Sequence, residues 1–187
     1  MEAVNNRKKW IDAGYELFSA SGPQALNVER LSLLVGLNRS SFYHYFGDID
    51  MYERELLNEH IDRFELLSTE LKQCQSFDPE MLHLVKGKPL EIKFHRQLLV
   101  NESTPRYIDC FKNAKSHTEQ TAFHLWSKFS ELGSHPDAEF NLFETVRDYS
   151  LLHFEQAEDE KITSMLHDVK LLMFLRSHFD HDKLNMG

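Results

Sequence analysis

Cysteine is scarce in this sequence. Cys74 and Cys110 are the only two among 187 residues, and no paired spacing joins them. A disulfide scaffold is excluded, and a reduced, cytoplasmic setting is expected. Glycine and proline are also few, seven and five. They fall mostly between periodic segments, at Gly22-Pro23, Gly36, Gly47, Pro79, Gly87-Lys88-Pro89, Pro105 and Gly133-Ser134-His135-Pro136. No long apolar run occurs. Leu171-Leu172-Met173-Phe174-Leu175 is the longest in an otherwise polar pattern, far short of the roughly 20 residues that a membrane span needs. The polar stretch Met1 to Lys9 lacks the apolar centre of a signal peptide. Catalytic signatures are missing as well: there is no HExxH, no GxSxG, no phosphate loop and no cysteine with an evident base partner. The acids Glu158, Asp159 and Glu160 cluster at a helix start, where they suit the dipole. No enzyme activity, no cofactor and no metal site is expected.

Positive charge is not in surplus either, since the net charge is -9. Its distribution matters more than its total. Residues 1–47 hold five cations and four anions, with Arg7, Lys8 and Lys9 adjacent, so the excess of acid lies in 48–187. That asymmetry permits a nucleic-acid partner for the N-terminal part without demonstrating one.

What the sequence does hold is helical periodicity. A hydrophobic content of 41% and a charged content of 27% describe a soluble globular chain. No alternating strand pattern and no internal repeat is present, so the fold class is all-α. The first helix is expected from about Asn6 to Ser21, with Trp10, Ala13, Gly14, Leu17 and Phe18 on one stripe. Asn27 is placed to cap a second helix, Val28 to Val35, and Asn38 a third, Arg39 to Phe46. A long helix follows from Ile49 to Gln73, capped by Asp48, with Leu57, Ile61, Phe64, Ser68 and Leu71 as its stripe. Further helices are expected at 79–86, 89–100, 104–132, 136–157 and 159–180.

Two short helices joined by a three-residue turn that begins with glycine form a helix-turn-helix. Leu31, Ser32, Val35, Leu37, Phe42 and Tyr45 supply the small or apolar residues where such helices cross. A plain helical corner without a DNA role shows the same pattern. The stretch from Arg7 to Phe18, then Gly22, Val28-Glu29-Arg30-Leu31-Ser32, Gly36-Leu37-Asn38 and Phe42-Tyr43-His44-Tyr45-Phe46 resembles the N-terminal domain of the tetracycline-repressor (TetR) family. The resemblance covers about residues 7–57 without a gap. It implies a DNA-binding domain over 1–47 and a helical ligand-sensing and dimerisation domain over 48–187. It also implies that the third helix enters the major groove. Arg39, Ser40 and Ser41 would then meet base edges at its first turn, next to the cap Asn38, with Arg39 suited to guanine O6 and N7. Tyr43 would reach a phosphate, His44 a phosphate or a base, and Asn27 would lie near the backbone. Lys8 and Lys9, with Arg7, would neutralise flanking phosphates. Two positions depart from the family pattern. Ile49, between Asp48 and Asp50, stands where a lysine is common, and Glu29 stands where a cation would help.

In the helix 104–132, Ile108, Phe111, Lys115, Thr118, Ala122, Leu125, Phe129 and Leu132 form one stripe beside the polar His117, Thr121 and His124. Lys115, Thr118, His117, Thr121 and His124 are therefore candidate ligand-binding residues, although a solvated face reads the same way. The last two helices are apolar on more than one side, from Phe140 to Phe154 and from Ile162 to Leu175, which calls for a second cover. A homodimer through 136–180 is expected, reading a near-palindromic operator in double-stranded DNA. Eleven histidines include the cluster His178-Phe179-Asp180-His181-Asp182, which matches no ligand spacing and reads as a solvated tail. His83, His95, His153 and His167 read as isolated surface or core groups. The sequence thus points to a transcriptional regulator, a repressor in the leading reading, whose DNA affinity a small molecule modulates. A dimeric interaction protein that keeps this fold without DNA binding is the alternative.

Overall fold

Side-chain caps fix the starts of three helices. The computed structural model describes residues 2–130, 136–153 and Asp168, and every regular element among them is helical. In chain order these are α1 (Glu2–Ser21), α2 (Val28–Val35), α3 (Arg39–Phe46), α4 (Ile49–Leu71), α5 (Leu82–Lys86), α6 (Pro89–Val100), α7 (Pro105–Ser130) and α8 (Pro136–Leu152). Asn27 Oδ1 accepts from the Glu29 amide at 2.8 Å, Asn38 Oδ1 from Ser41 at 2.8 Å, and Asp48 Oδ1 from Met51 at 2.7 Å. Each satisfies an amide that the first helical turn would otherwise leave without a partner. Gly36 ends α2 in the left-handed region (φ 71°), its N–H donating to Ser32 O at 3.0 Å. That conformation suits glycine and sets the sharp turn into α3.

The expected helix at 79–86 is shorter and preceded by a wider turn. Phe77–Met81 forms a kinked turn before α5, with Asp78 in extended backbone (φ -116°, ψ 124°). Ser76 Oγ accepts from the Glu80 amide while Glu80 Oε2 accepts from the Gln75 amide at 2.6 Å, a reciprocal cap. The turn seats Phe77 edge-on against Trp126, with ring centroids 5.3 Å apart. Apart from Asp168, the helix expected at 159–180, its apolar faces and the His178–Asp182 cluster lie outside the described residues.

One aromatic core runs through the first two thirds of the chain. Trp10, Tyr15 and Phe18 of α1 are fully buried, as are Phe42 of α3, Tyr52 of α4 and Phe94 of α6. Phe94 stacks on Phe18 at 4.1 Å and on Tyr15 at 4.3 Å. The core therefore crosses residue 47 without a break. Helix α1 can lie this close to α4 only because position 14 is glycine. A Cβ there would stand 1.7 Å from Tyr52 Oη, whose hydroxyl donates to Trp10 O at 2.6 Å. A second core gathers Leu71, Phe77, Leu125, Trp126 and Phe143 between α4, α7 and α8.

Candidate nucleic-acid interface and inner cavity

Helices α2 and α3 cross over Leu31 and Phe42, both fully buried. Phe42 is held edge-on by Trp10 at 5.4 Å and by Tyr52 at 5.0 Å. The opposite face of α3 is thereby turned outward. Asn38, Arg39, Ser40, Tyr43 and His44 are exposed there, and Ser41 is half-buried. Phe46 is buried and Tyr45 half-buried, so both belong to packing rather than to the outer face. Asn27 is exposed, but its side chain is committed to the α2 cap.

The charged residues around this face are differently engaged. Arg39 Nη2 lies 2.6 Å from Glu29 Oε1, an exposed ion pair between α3 and α2. Lys8 pairs with Asp12 at 2.8 Å and Arg7 with Glu55 at 2.8 Å, while Lys9 is exposed with no ion-pair partner among the described residues. The acids beside Ile49 have structural duties. Asp48 caps α4, and Asp50 receives Arg106 of α7 at 2.6 Å and Arg54 at 3.3 Å. The hydrogen bond from Arg106 holds the Asp50 carboxyl below its usual range. Arg106 also pairs with Glu53 at 2.8 Å, which ties the start of α7 to the start of α4.

Behind the α4 helix is a partly open cavity of about 180 Å³, lined by α4 to α8 and the Phe77–Met81 turn. Phe64, Leu71, Trp126, Phe143 and Val146 make its wall mostly apolar. The expected ligand residues divide. Lys115 and Thr118 line this cavity, whereas Thr121 and His124 border a separate open hollow on the outer side of α7, and His117 lines neither. The five do not converge because the stripe through 117, 121 and 124 is rotated away from the stripe through 115, 118 and 122. Lys115 bridges Glu144 at 2.7 Å and Glu119 at 2.9 Å, and Arg147 meets the same two acids at 3.4 Å and 3.2 Å.

Two buried histidines were not foreseen as a pair. Tyr15 Oη lies 2.7 Å from His60 Nδ1, and His60 Nε2 lies 3.1 Å from His95 Nδ1. His95 stands in the cavity wall, stacked between Phe64 at 4.4 Å and Phe111 at 4.3 Å. This chain connects α1, α4 and α6. Burial, with the neighbouring His95 and Arg63, holds His60 well below its ordinary pKa. Burial, with Arg147 and Lys115, brings His95 down to about 3. Both rings are neutral at pH 7. Arg63 closes the outer side, 4.0 Å over the Tyr15 ring and paired with Glu59 at 2.8 Å and Glu91 at 3.2 Å. The sequence did carry one signal for His60, because it falls on the Leu56–His60–Phe64 row of the buried face of α4. Among the described residues no group of three potential metal ligands gathers, and no helix is long and apolar enough to cross a membrane.

Residues 11–50 match the family model for bacterial regulatory proteins of the tetR family. No curated protein matches the chain. Among solved structures, a putative TetR-family transcriptional regulator from Mesorhizobium loti is 14% identical, with a TM-score of 0.59 over 95% of this chain and 98% of that one. AmtR of Mycobacterium smegmatis is 19% identical, covering 88% of this chain and 84% of its own, with a TM-score of 0.49. A TetR-family transcriptional regulator from Streptomyces coelicolor is 17% identical, with 91% and 98% covered and a TM-score of 0.43.

Proposed function

With an N-terminal domain of the tetR family of bacterial regulatory proteins as the premise, we propose that this chain is a sequence-specific transcriptional repressor released from its operator by a small molecule. The observation that carries the reading is the outward face of α3, where Arg39, Ser40, Tyr43 and His44 stand exposed on a helix anchored from behind by Phe42. Arg39, Ser40 and Ser41 read base edges, Tyr43 and Lys9 meet phosphates, and His44 meets either. Lys8 reaches a phosphate by leaving Asp12. Asn27 and Asn38 act by capping the two helices, which fixes where each begins beside the backbone.

The chain works as a homodimer through 136–180, which sets two copies of α3 about one DNA turn apart on a near-palindromic site. Support comes from Tyr149 and Leu152 of α8, both exposed in the single chain. The cavity lined by Lys115 and Thr118 is the effector site. Its occupant acts by favouring one spacing of the recognition helices over the other. Recovery of genomic fragments by the purified protein tests the reading. Enrichment of a few short near-palindromes supports it, and fragments without a shared motif sink it.

A second reading has one observation behind it. The Glu29 carboxylate, 2.6 Å from the Arg39 guanidinium, occupies the group that would otherwise read bases. In that reading the chain is a dimeric interaction protein on the same fold. Binding to DNA that does not respond to salt, or no binding at all, would favour it.

A further inference from the structure

The chemistry of the effector follows from where one proton must sit. Tyr15 Oη has a single hydrogen-bond partner among the described residues, His60 Nδ1. A buried phenol that accepted there would keep its own hydrogen unpaired, so Tyr15 donates. His60 Nδ1 is then the acceptor of a neutral ring, and His60 Nε2–H donates to His95 Nδ1. His95, also neutral, must carry its hydrogen on Nε2. That N–H has no partner among the described residues, and the ring it belongs to lies in the cavity wall. The opposite order would leave the phenol hydrogen unpaired at the buried end of the chain.

We infer that the cavity takes a compact, mostly apolar molecule with one neutral hydrogen-bond acceptor, such as a ketone, ester or amide oxygen, seated on Nε2–H of His95. The inference rests on the reading of this cavity as the effector site. Size follows from volume: an apolar cavity of about 150 Å³ accepts benzene, so one of about 180 Å³ takes a single ring with a short substituent. Neutrality follows from charge. The two cations nearest His95 in the wall, Lys115 and Arg147, are already matched by Glu119 and Glu144. An arriving carboxylate would meet no uncompensated positive charge from this pair and would lose its hydration. The stacking of His95 between Phe64 and Phe111 fixes the ring plane, and with it the direction of the N–H.

The test is calorimetric titration of the full-length protein with ethylbenzene, acetophenone and benzoate, against wild type and His95→Phe, the affinities of the two neutral compounds corrected for their transfer from water to cyclohexane and benzoate compared with acetophenone as measured. On that apolar scale acetophenone is expected to exceed ethylbenzene by more than about tenfold in wild type, since a hydrogen bond counted from a medium that offers none is worth more than its net value in water. His95→Phe should erase that margin. Equal corrected affinities in wild type would overturn the acceptor and leave the cavity standing as a site. That comparison needs no variant to fold. Benzoate binding more tightly than acetophenone would overturn neutrality. Failure of all three to bind would overturn the effector-site reading and this inference with it.

Discussion

Arg39 shows how a residue can be found from the sequence while its state cannot. Its place at the first turn of α3 follows from the Asn38 cap, but its pairing with Glu29 spans ten residues and two helices and depends on their crossing. Operator binding therefore exchanges one partner for another at the same guanidinium. Arg39→Ala should cost about 1–3 kcal/mol of discrimination at one base pair of each half-site, read by fluorescence anisotropy on mismatched operators. Glu29→Gln should tighten binding up to about fivefold, the worth of one exposed ion pair; unchanged affinity would mean that Glu29 does not compete. The histidines behave in the opposite way, since each alone reads as unremarkable and only the fold joins His60 to His95. Both are held below their ordinary value of 6.5. Acidification below about pH 6.5 protonates them in the unfolded chain but not in the folded one, down to about pH 3 for His95, so stability falls as pH falls. The slope is about 1.4 kcal/mol per pH unit for each histidine. Urea melts from pH 7 to 5 should show a shallower dependence in His95→Phe than in wild type.

At the scale of the helix, ends proved more readable than neighbours. The bounds of α2, α3 and α6 coincide with those expected, because side-chain caps, Gly36 and Pro89 act within a few residues of where they stand. The segment before α5 was less readable, as its kinked turn seats Phe77 against the distant Trp126. Nor could periodicity say why position 14 on the apolar stripe of α1 is glycine, since the reason is the Tyr52 hydroxyl of α4. Gly14→Ala would stabilise an isolated helix by nearly 1 kcal/mol. Here it should instead destabilise the protein by about 1–3 kcal/mol, through displacement of Tyr52 and the loss of its bond to Trp10 O. For a chain of this length that is a fall of several degrees in Tm, about 2–4 °C for each kcal/mol, readable by calorimetry.

For the whole molecule, the all-α class was evident from where glycine and proline fall, whereas the cavity was not. It is walled by residues from five helices and one turn, and no single stripe announces it. The same limit explains why His117, Thr121 and His124 were grouped with Lys115 and Thr118, which share their helix but face elsewhere. The boundary proposed at residue 47 marks a change of task and not a gap in packing, since Trp10, Tyr15, Phe18 and Phe94 belong to one cluster. A fragment ending at residue 50 should accordingly show little helical circular dichroism, while the full chain melts in one transition. Light scattering at micromolar concentration should give a dimer mass, and a monomer mass would remove the proposed 136–180 interface. The stack of Tyr15 and Phe18 on Phe94 has a kinetic consequence too. No residue of α1 lines the cavity, yet steadying the α6 wall steadies the floor on which α1 rests. Deuterium uptake at the amides of α1 should slow when the cavity is filled, far from any atom of the occupant.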